Sequence, residues 1–314
     1  MMNGKNSYNP LVSVIIPNYN HAPYLQERID SVLNQTYRDF EVIILDDCSI
    51  DNSREIIEGY RGHEKIRHIE YNEVNSGNTF VQWKKGLDLA QGDWIWIAES
   101  DDVAHPDFLL KCLSSVQELD LVFCKSTIIN RLGERATYLG ASFFPSDEVF
   151  NPDLPMHHIN SSKFLEERMF NFNHIVNASS VLTKGATLRQ LIPEITDFKL
   201  CGDWMLWVLI LSNGNGCYLN ESLNYFRVHD QTVRASRSST MDTFYENARI
   251  AQYVFKQRPT KALRNNISEY LIFAYFNRYS KAQRKGSFLT MLNLISVYGL
   301  LAVIHTLSHK LKHD

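Results

Sequence analysis

Three short runs limit the folds open to this chain: VSVIIP (Val12 to Pro17), FEVIILDD (Phe40 to Asp47) and Trp94 to Ala98 within DWIWIA. Each is continuously apolar and rich in β-branched or aromatic residues, the pattern of a strand buried on both faces. Strands of that kind need helices above and below them. The intervening sequence supplies these: Leu25, Ile29, Val32 and Leu33 recur at helical spacing within Tyr24 to Gln35, and a second helix follows DCSIDNS. Arg67 to Asn72 reads as a further strand, and Thr79 to Ala90 as a helix that stops before Gly92. The β-α-β-α-β order predicts an α/β fold with a parallel sheet and right-handed crossovers.

In open α/β sheets, ligands collect at the carboxyl ends of the strands. Polar loops lie at three such ends here, Asn18 to Asn20, Asp46 to Asp51 and Glu99 to Asp102. The last, Glu99-Ser100-Asp101-Asp102, is the most informative. Its carboxylates repel one another, so holding them on a rigid strand end calls for a compensating charge. A divalent cation with hard oxygen ligands, Mg²⁺ or Mn²⁺, supplies it and can bridge to substrate phosphates. The rival enzyme readings, a nucleotidyltransferase or a Rossmann dehydrogenase, are not supported by the first loop, because Asn18 to Tyr24 lacks the glycines that let a backbone approach a pyrophosphate.

Beyond Phe108 to Leu119, predicted as a helix after Pro106, LVFCKSTII (Leu121 to Ile129) reads as a strand. Gly133 to Asn160 is rich in turn formers and reads as loops with short strands. Helices are expected over Ser162 to Phe172 and Leu200 to Leu211, with strands at Ala178 to Thr183 and Leu223 to Val228. From Asp242 onward the pattern is helical.

Five segments, in order, resemble the family 2 glycosyltransferases of the GT-A fold, and the resemblance spans about Leu11 to Ser236. They are VSVIIPNYN, DFEVIILDDCSIDNS, NSGNTFVQWKKGLDLAQGDWIWIAESDD, CGDWMLW and YFRVHDQT. The QWKKG and ESDD forms look like a branch met in surface-polysaccharide assembly. The implied fold is a Rossmann-like, mostly parallel sheet flanked by helices, with a C-terminal helical extension. The implied activity is inverting transfer of a sugar from a nucleotide-sugar donor, a UDP-sugar first, to a hydroxyl of a glycan or lipid-linked acceptor.

The resemblance also implies roles. Pro17, Tyr19 and Asp47 match positions that hold the nucleotide base, and Asn20, Asn75, Gly77, Glu99 and Ser100 fall in the matched donor-side segments. Lys84, with Lys85 beside it, is a candidate phosphate contact. Asp101 matches the principal metal ligand, with Asp102 beside it, and His229 a histidine that reaches the metal or the diphosphate. Glu99 stands where most members have aspartate. Asp203 matches the general base, and Gly202 replaces the glutamate that usually precedes it.

Charge and cysteine usage set the context. From Arg249 to the end, eleven Lys/Arg face Glu269 and Asp314, a formal +9 that leaves −12 for the rest of the chain. A basic and apolar tail suits anionic lipid rather than nucleic acid. The final apolar stretch predicts an interfacial helix or one packed on the body, and dimerisation is an alternative use. The division expected is therefore a catalytic domain at 11–238 and a membrane-association or dimerisation region at 239–314. Five scattered cysteines without a CxxC pair, and a polar start without a secretory signal, predict a cytoplasmic protein on the inner face of the membrane. The reading from another class is a non-catalytic nucleotide-sugar binder or scaffold, which would keep Asp47 and Asp101 but not need Asp203.

Overall fold

The computed structural model describes residues 10–116, 118–136, 150–151, 153–229 and 241–277. Its centre is a nine-stranded sheet. β1 (Val12–Asn18), β2 (Phe40–Asp46), β3 (Ile66–Tyr71) and β4 (Trp94–Ile97) run parallel in the order β3-β2-β1-β4. Every residue of β1, β2 and β4 is buried, as continuous apolar runs require.

Two cores follow from the alternation of side chains along each strand. Val12, Val14, Ile16, Val42, Ile44, Trp94 and Trp96 face α1 (Ala22–Leu33), α2 (Ser53–Glu58) and α4 (Phe108–Leu113). Ile15, Ile43, Leu45, Ile95 and Ile97 face α3 (Thr79–Leu89) and the C-terminal helices. Gly86 explains the glycine of QWKKG: a Cβ there would lie 2.4 Å from Ile15 Cγ2, so only glycine lets α3 settle this closely on β1.

The second half of the sheet is mixed. β6 (Leu121–Ile129) matches its predicted limits, but β8 (Val181–Lys184) enters antiparallel between β4 and β6. Ala178–Ser180, expected to belong to that strand, form a 3-10 turn instead, with Asn177 Oδ1 accepting from Ser179 N at 2.7 Å. β9 (Gly216–Arg227) is longer than predicted. It runs parallel to β6 along one edge and pairs antiparallel with β7 (Met156–Ile159) and β5 (Val103–Ala104) along the other. The helix expected to reach Leu119 ends at Leu113, where the Ser114 hydroxyl donates to the Lys111 carbonyl at 2.6 Å and competes with the helical pattern. The segment from Ser162 begins as α5 (Ser161–Phe164) and continues as a π-helical turn over Leu165–Met169.

After α6 (Gly185–Leu191) and α7 (Gly202–Asn213) come α8 (Met241–Gln257) and α9 (Lys261–Asn277). Phe244, Ala248, Ala251 and Val254 of α8 and Ile267, Leu271 and Tyr275 of α9 share one buried core with Leu206, Trp207 and Ile210 of α7. The predicted tail beyond Asn277 lies outside the described residues. Among those residues no helix is long and apolar enough to cross a membrane.

Candidate active site

The ESDD loop is fixed at both ends. β4 leads into it, and β5 leads out of it by pairing Val103 with Tyr225 and Ala104 with Asn224 of β9. The same strand, β9, then carries the chain to His229. Asp101 and His229, 128 residues apart, thus meet with Oδ2 and Nε2 3.1 Å apart.

His21 joins them from the end of β1. One ligand atom each from His21, Asp101 and His229 can be chosen so that all lie within 4.8 Å of one another. Ser100 bonds to His21 Nδ1 at 2.8 Å through its hydroxyl, and the His21 and His229 rings meet edge to face with centroids 5.5 Å apart. His229 Nδ1 is buried without a hydrogen-bond partner among the described residues. Burial pushes the Asp101 carboxyl upward, but the His229 hydrogen bond and the nearby His21 hold it below the usual range.

Sequence reasoning missed His21. Its signal was position alone, directly after the polar residues closing the first strand.

The neighbouring carboxylates behave differently. Asp102, expected beside Asp101 as a ligand, turns into the protein. Its Oδ1 accepts from Arg227 N at 2.9 Å, and its Oδ2 from Asn177 Nδ2 at 2.9 Å, with Arg28 Nη2 3.8 Å away. The pairing of β5 with β9 draws residue 102 under the sheet edge. Burial, followed by repulsion from Asp101, raises its carboxyl to about 6. Glu99 accepts from the Trp83 indole at 2.8 Å, and burial followed by Asp101 raises it to about 8.

The charge compensation that the cluster requires comes partly from within the chain. Arg28 is fully buried, donates from Nε to the Glu99 carbonyl at 2.8 Å, and lies over Trp96. Arg227, also buried, donates from Nε to the Asp101 carbonyl at 2.8 Å and from Nη2 to Glu27 at 2.6 Å.

The loops after β1 and β2 form the adjoining wall. Pro17 sits inside β1 opposite Leu45, whereas Tyr19 is 45% exposed at the rim. Asn20 accepts from Ile50 N at 2.8 Å and so ties the two loops together. The Asp47 carboxylate accepts from Asn72 Nδ2, Ser76 N and Oγ, and Gln82 Nε2 at 2.6 to 3.1 Å. Its acceptor positions are therefore occupied inside the protein, and an incoming base N–H would have to displace one of these donors. Asn75 donates to the Asp47 carbonyl and accepts from Gly77 N, so both sit on this wall. Lys84 is not brought there: it pairs with Asp88 on the exposed face of α3 at 2.6 Å. Lys85 reaches the wall instead, donating to Asn72 Oδ1 at 2.8 Å.

Asp203 lies in the first turn of α7, partly exposed, with Asn173 Nδ2 donating to its Oδ2 at 2.9 Å. Gly202, before it, has no room for a side chain. A Cβ on residue 202 would lie 2.6 Å from Phe80 Cε2, so the Phe80 ring occupies the space a side chain would need. Phe80 packs edge to face on Trp83 at 5.1 Å, and Trp83 donates to Glu99. One face of α3 therefore touches both the acidic loop and the start of α7.

Residues 13–179, more than half of the chain, match the family described as Glycosyl transferase family 2. The glycosyltransferase TuaG of Bacillus subtilis (strain 168), named for teichuronic acid biosynthesis, is 28% identical over 232 residues, covering 74% of this chain and 84% of TuaG. The poly(ribitol-phosphate) β-N-acetylglucosaminyltransferase TarP of Staphylococcus aureus (strain N315) is 38% identical over 98 residues, 30% of this chain and 29% of TarP. Among solved structures, S. aureus TarS 1–349 in complex with UDP superposes with a TM-score of 0.67 at 19% identity, covering 94% of this chain and 82% of that one. A mannosyltransferase of Pyrobaculum calidifontis in complex with GDP-Man and Mn²⁺ superposes with a TM-score of 0.55 at 15% identity, covering 98% and 81%. The sheet order, the helices on both faces and the strand-end loops are thus those of a GT-A fold, and the chain belongs to glycosyl transferase family 2 and is a glycosyltransferase.

Proposed function

We propose that this enzyme is an inverting, divalent-metal-dependent glycosyltransferase of surface-polysaccharide synthesis. It takes a sugar from a nucleotide-sugar donor, first a UDP-sugar, and passes it to a hydroxyl of a glycan or lipid-linked acceptor. The observation that carries this reading is the convergence of His21, Asp101 and His229 at the carboxyl end of β4.

Two imidazoles and one carboxylate, each offering a ligand atom within 4.8 Å of the others, fit a divalent transition ion such as Mn²⁺ better than Mg²⁺, which prefers oxygen. When bound, such an ion neutralises charge developing on a departing nucleoside diphosphate. The TarS structures solved with UDP and with UDP-GlcNAc, and the mannosyltransferase solved with GDP-Man and Mn²⁺, support both the donor class and the metal.

The chain's own residues do the rest. Asp203 removes the proton from the acceptor hydroxyl as that oxygen forms its bond to the anomeric carbon, while the bond to the diphosphate oxygen breaks on the opposite face. Asn173 Nδ2 holds the Asp203 carboxylate through its Oδ2. Asn72, Asn75, Ser76 and Lys85 present polar groups around Asp47 to the nucleoside. The basic, apolar stretch beyond Asn277 holds the enzyme at an anionic inner-membrane surface, near lipid-linked acceptors.

A panel of nucleotide sugars, assayed by nucleoside diphosphate release with and without Mn²⁺, tests the reading. Release should require the ion and favour one UDP-sugar. Asp203→Asn should bind that donor normally and lose turnover. Undiminished transfer by this variant, or turnover that survives chelation, overturns the proposal.

A further inference from the structure

The loop that delivers Asp203 has little structure of its own. Cys201, the residue preceding α7, makes no side-chain cap, and residues 196–201 connect a 3-10 turn (Ile192–Ile195) to the helix. Yet its peptide groups are held from two sides. On one, Asn78, which caps α3, donates from Nδ2 to the carbonyls of Thr196 at 2.8 Å and Phe198 at 2.9 Å.

On the other side stands a carboxylate from α8. Glu246, only 7% exposed, accepts from three successive backbone N–H groups: Lys199 at 2.7 Å, Leu200 at 3.1 Å and Cys201 at 2.8 Å. Successive N–H groups of this kind make an anion-binding concavity, and here the anion is built into the chain. Its neighbours on α8 hold the same loop. Cys201 Sγ lies 3.2 Å from Asn247 Oδ1, and Arg249 stacks on Phe198 at 4.1 Å while pairing with Asp197 at 3.0 Å.

We propose that Glu246 is a positioning residue of the general base: its carboxylate sets the backbone of Lys199 to Cys201, and through it the first turn of α7 that aims Asp203. This rests on the reading of Asp203 as the base. Asp203 lies two residues beyond the last N–H that Glu246 holds. A shift of the helix start would displace the base from the acceptor hydroxyl, where a misplacement of about 1 Å costs on the order of a hundredfold in rate. Glu246, on α8, and Asp203, on α7, both lie beyond the segment 13–179 matched by the family.

Glu246→Gln keeps the shape but turns an amide toward backbone donors. With the donor selected by the panel above, and assayed well below the melting temperature, kcat should fall by roughly tenfold or more while the donor dissociation constant stays unchanged. Amide hydrogen exchange should speed up at 199–201, which reports the lost contacts independently of activity. The decisive arm is the double variant. If Glu246 acts through Asp203, adding Glu246→Gln to Asp203→Asn should lower turnover no further. A kcat within twofold of the parent, or losses that multiply in the double variant, overturns this inference and leaves the base assignment standing. Full turnover by Asp203→Asn alone removes the base assignment, and this inference with it.

Discussion

Asn173 donates a 2.9 Å hydrogen bond to Asp203, and four residues later on the same segment Asn177 donates one of equal length to Asp102. A single stretch of five residues therefore joins the start of α7 to the acidic loop after β4. Asn173 is itself held, since its Oδ1 accepts from Ile175 N at 3.1 Å. Asn173→Ala should lower kcat by about tenfold at unchanged donor affinity, because a contact that orients the carboxylate is lost. Asn173→Asp should lose more, since it sets a like charge against the base. Steady-state kinetics with donor titration measures both, and equal activity of all three proteins would show that the contact does not orient Asp203.

Gly202 and Phe80 form a second such dependence. Gly202→Ala should destabilise the protein by about 1–3 kcal/mol, because the new methyl must displace a buried ring. Phe80→Leu in the same chain should recover part of that loss. A double-variant cycle by urea denaturation reads the coupling directly, and strictly additive effects would refute the steric account.

The histidine-aspartate cluster predicts ion binding without substrate. Titration of Mn²⁺ into the donor-free protein should show one site, lost in His21→Ala. Ser100→Ala, which removes the hydroxyl bonded to His21 Nδ1, should weaken binding by about tenfold. Retained affinity in His21→Ala would remove that residue from the ligand set.

His174 predicts an acid limit on stability. Its ring meets those of Phe164 and Phe172, and burial, with Arg168 adding to it, pushes the imidazole down to about 4 from the ordinary 6.5. The folded protein then binds fewer protons than the unfolded chain between these values, so stability is full above about pH 6.5 and declines as pH falls through 4. The loss should reach about 3 kcal/mol, and His174→Asn should abolish most of it. Urea midpoints at pH 7 and pH 4.5 compare the two proteins, and an identical acid loss in both would exclude His174 as its source.

Much of this arrangement was legible in the sequence because it is local. The runs over Val12–Asn18, Phe40–Asp46 and Trp94–Ile97 are strands for reasons their own residues state, and the polar residues after them had to lie at strand ends. What escaped depends on distant pairing. His21 meets His229 only because β1 and β9 end on the same side of the sheet, which no periodicity reports. Asp102 turns inward because the two residues after it pair with β9, so adjacent carboxylates in one motif face opposite ways. Compensating charge was expected from a divalent cation, whereas Arg28, an apparently ordinary residue on an amphipathic helix, also supplies positive charge, donating to the Glu99 carbonyl and lying 3.8 Å from Asp102.

Glycine at position 86 governs how closely this chain's α3 approaches its sheet. Because α3 rests directly on the Ile15 side chain, the distance between that helix and the sheet is set by the absence of a single carbon. Trp83 and Phe80 ride on the same helix, so any larger residue at 86 would lift both rings together, loosening the grip on Glu99 and the fit against Gly202 in one movement. Innocuous-looking changes far from the chemistry would then register as lost catalysis, and a survey of variants scored on activity should find position 86 as intolerant as the carboxylates themselves.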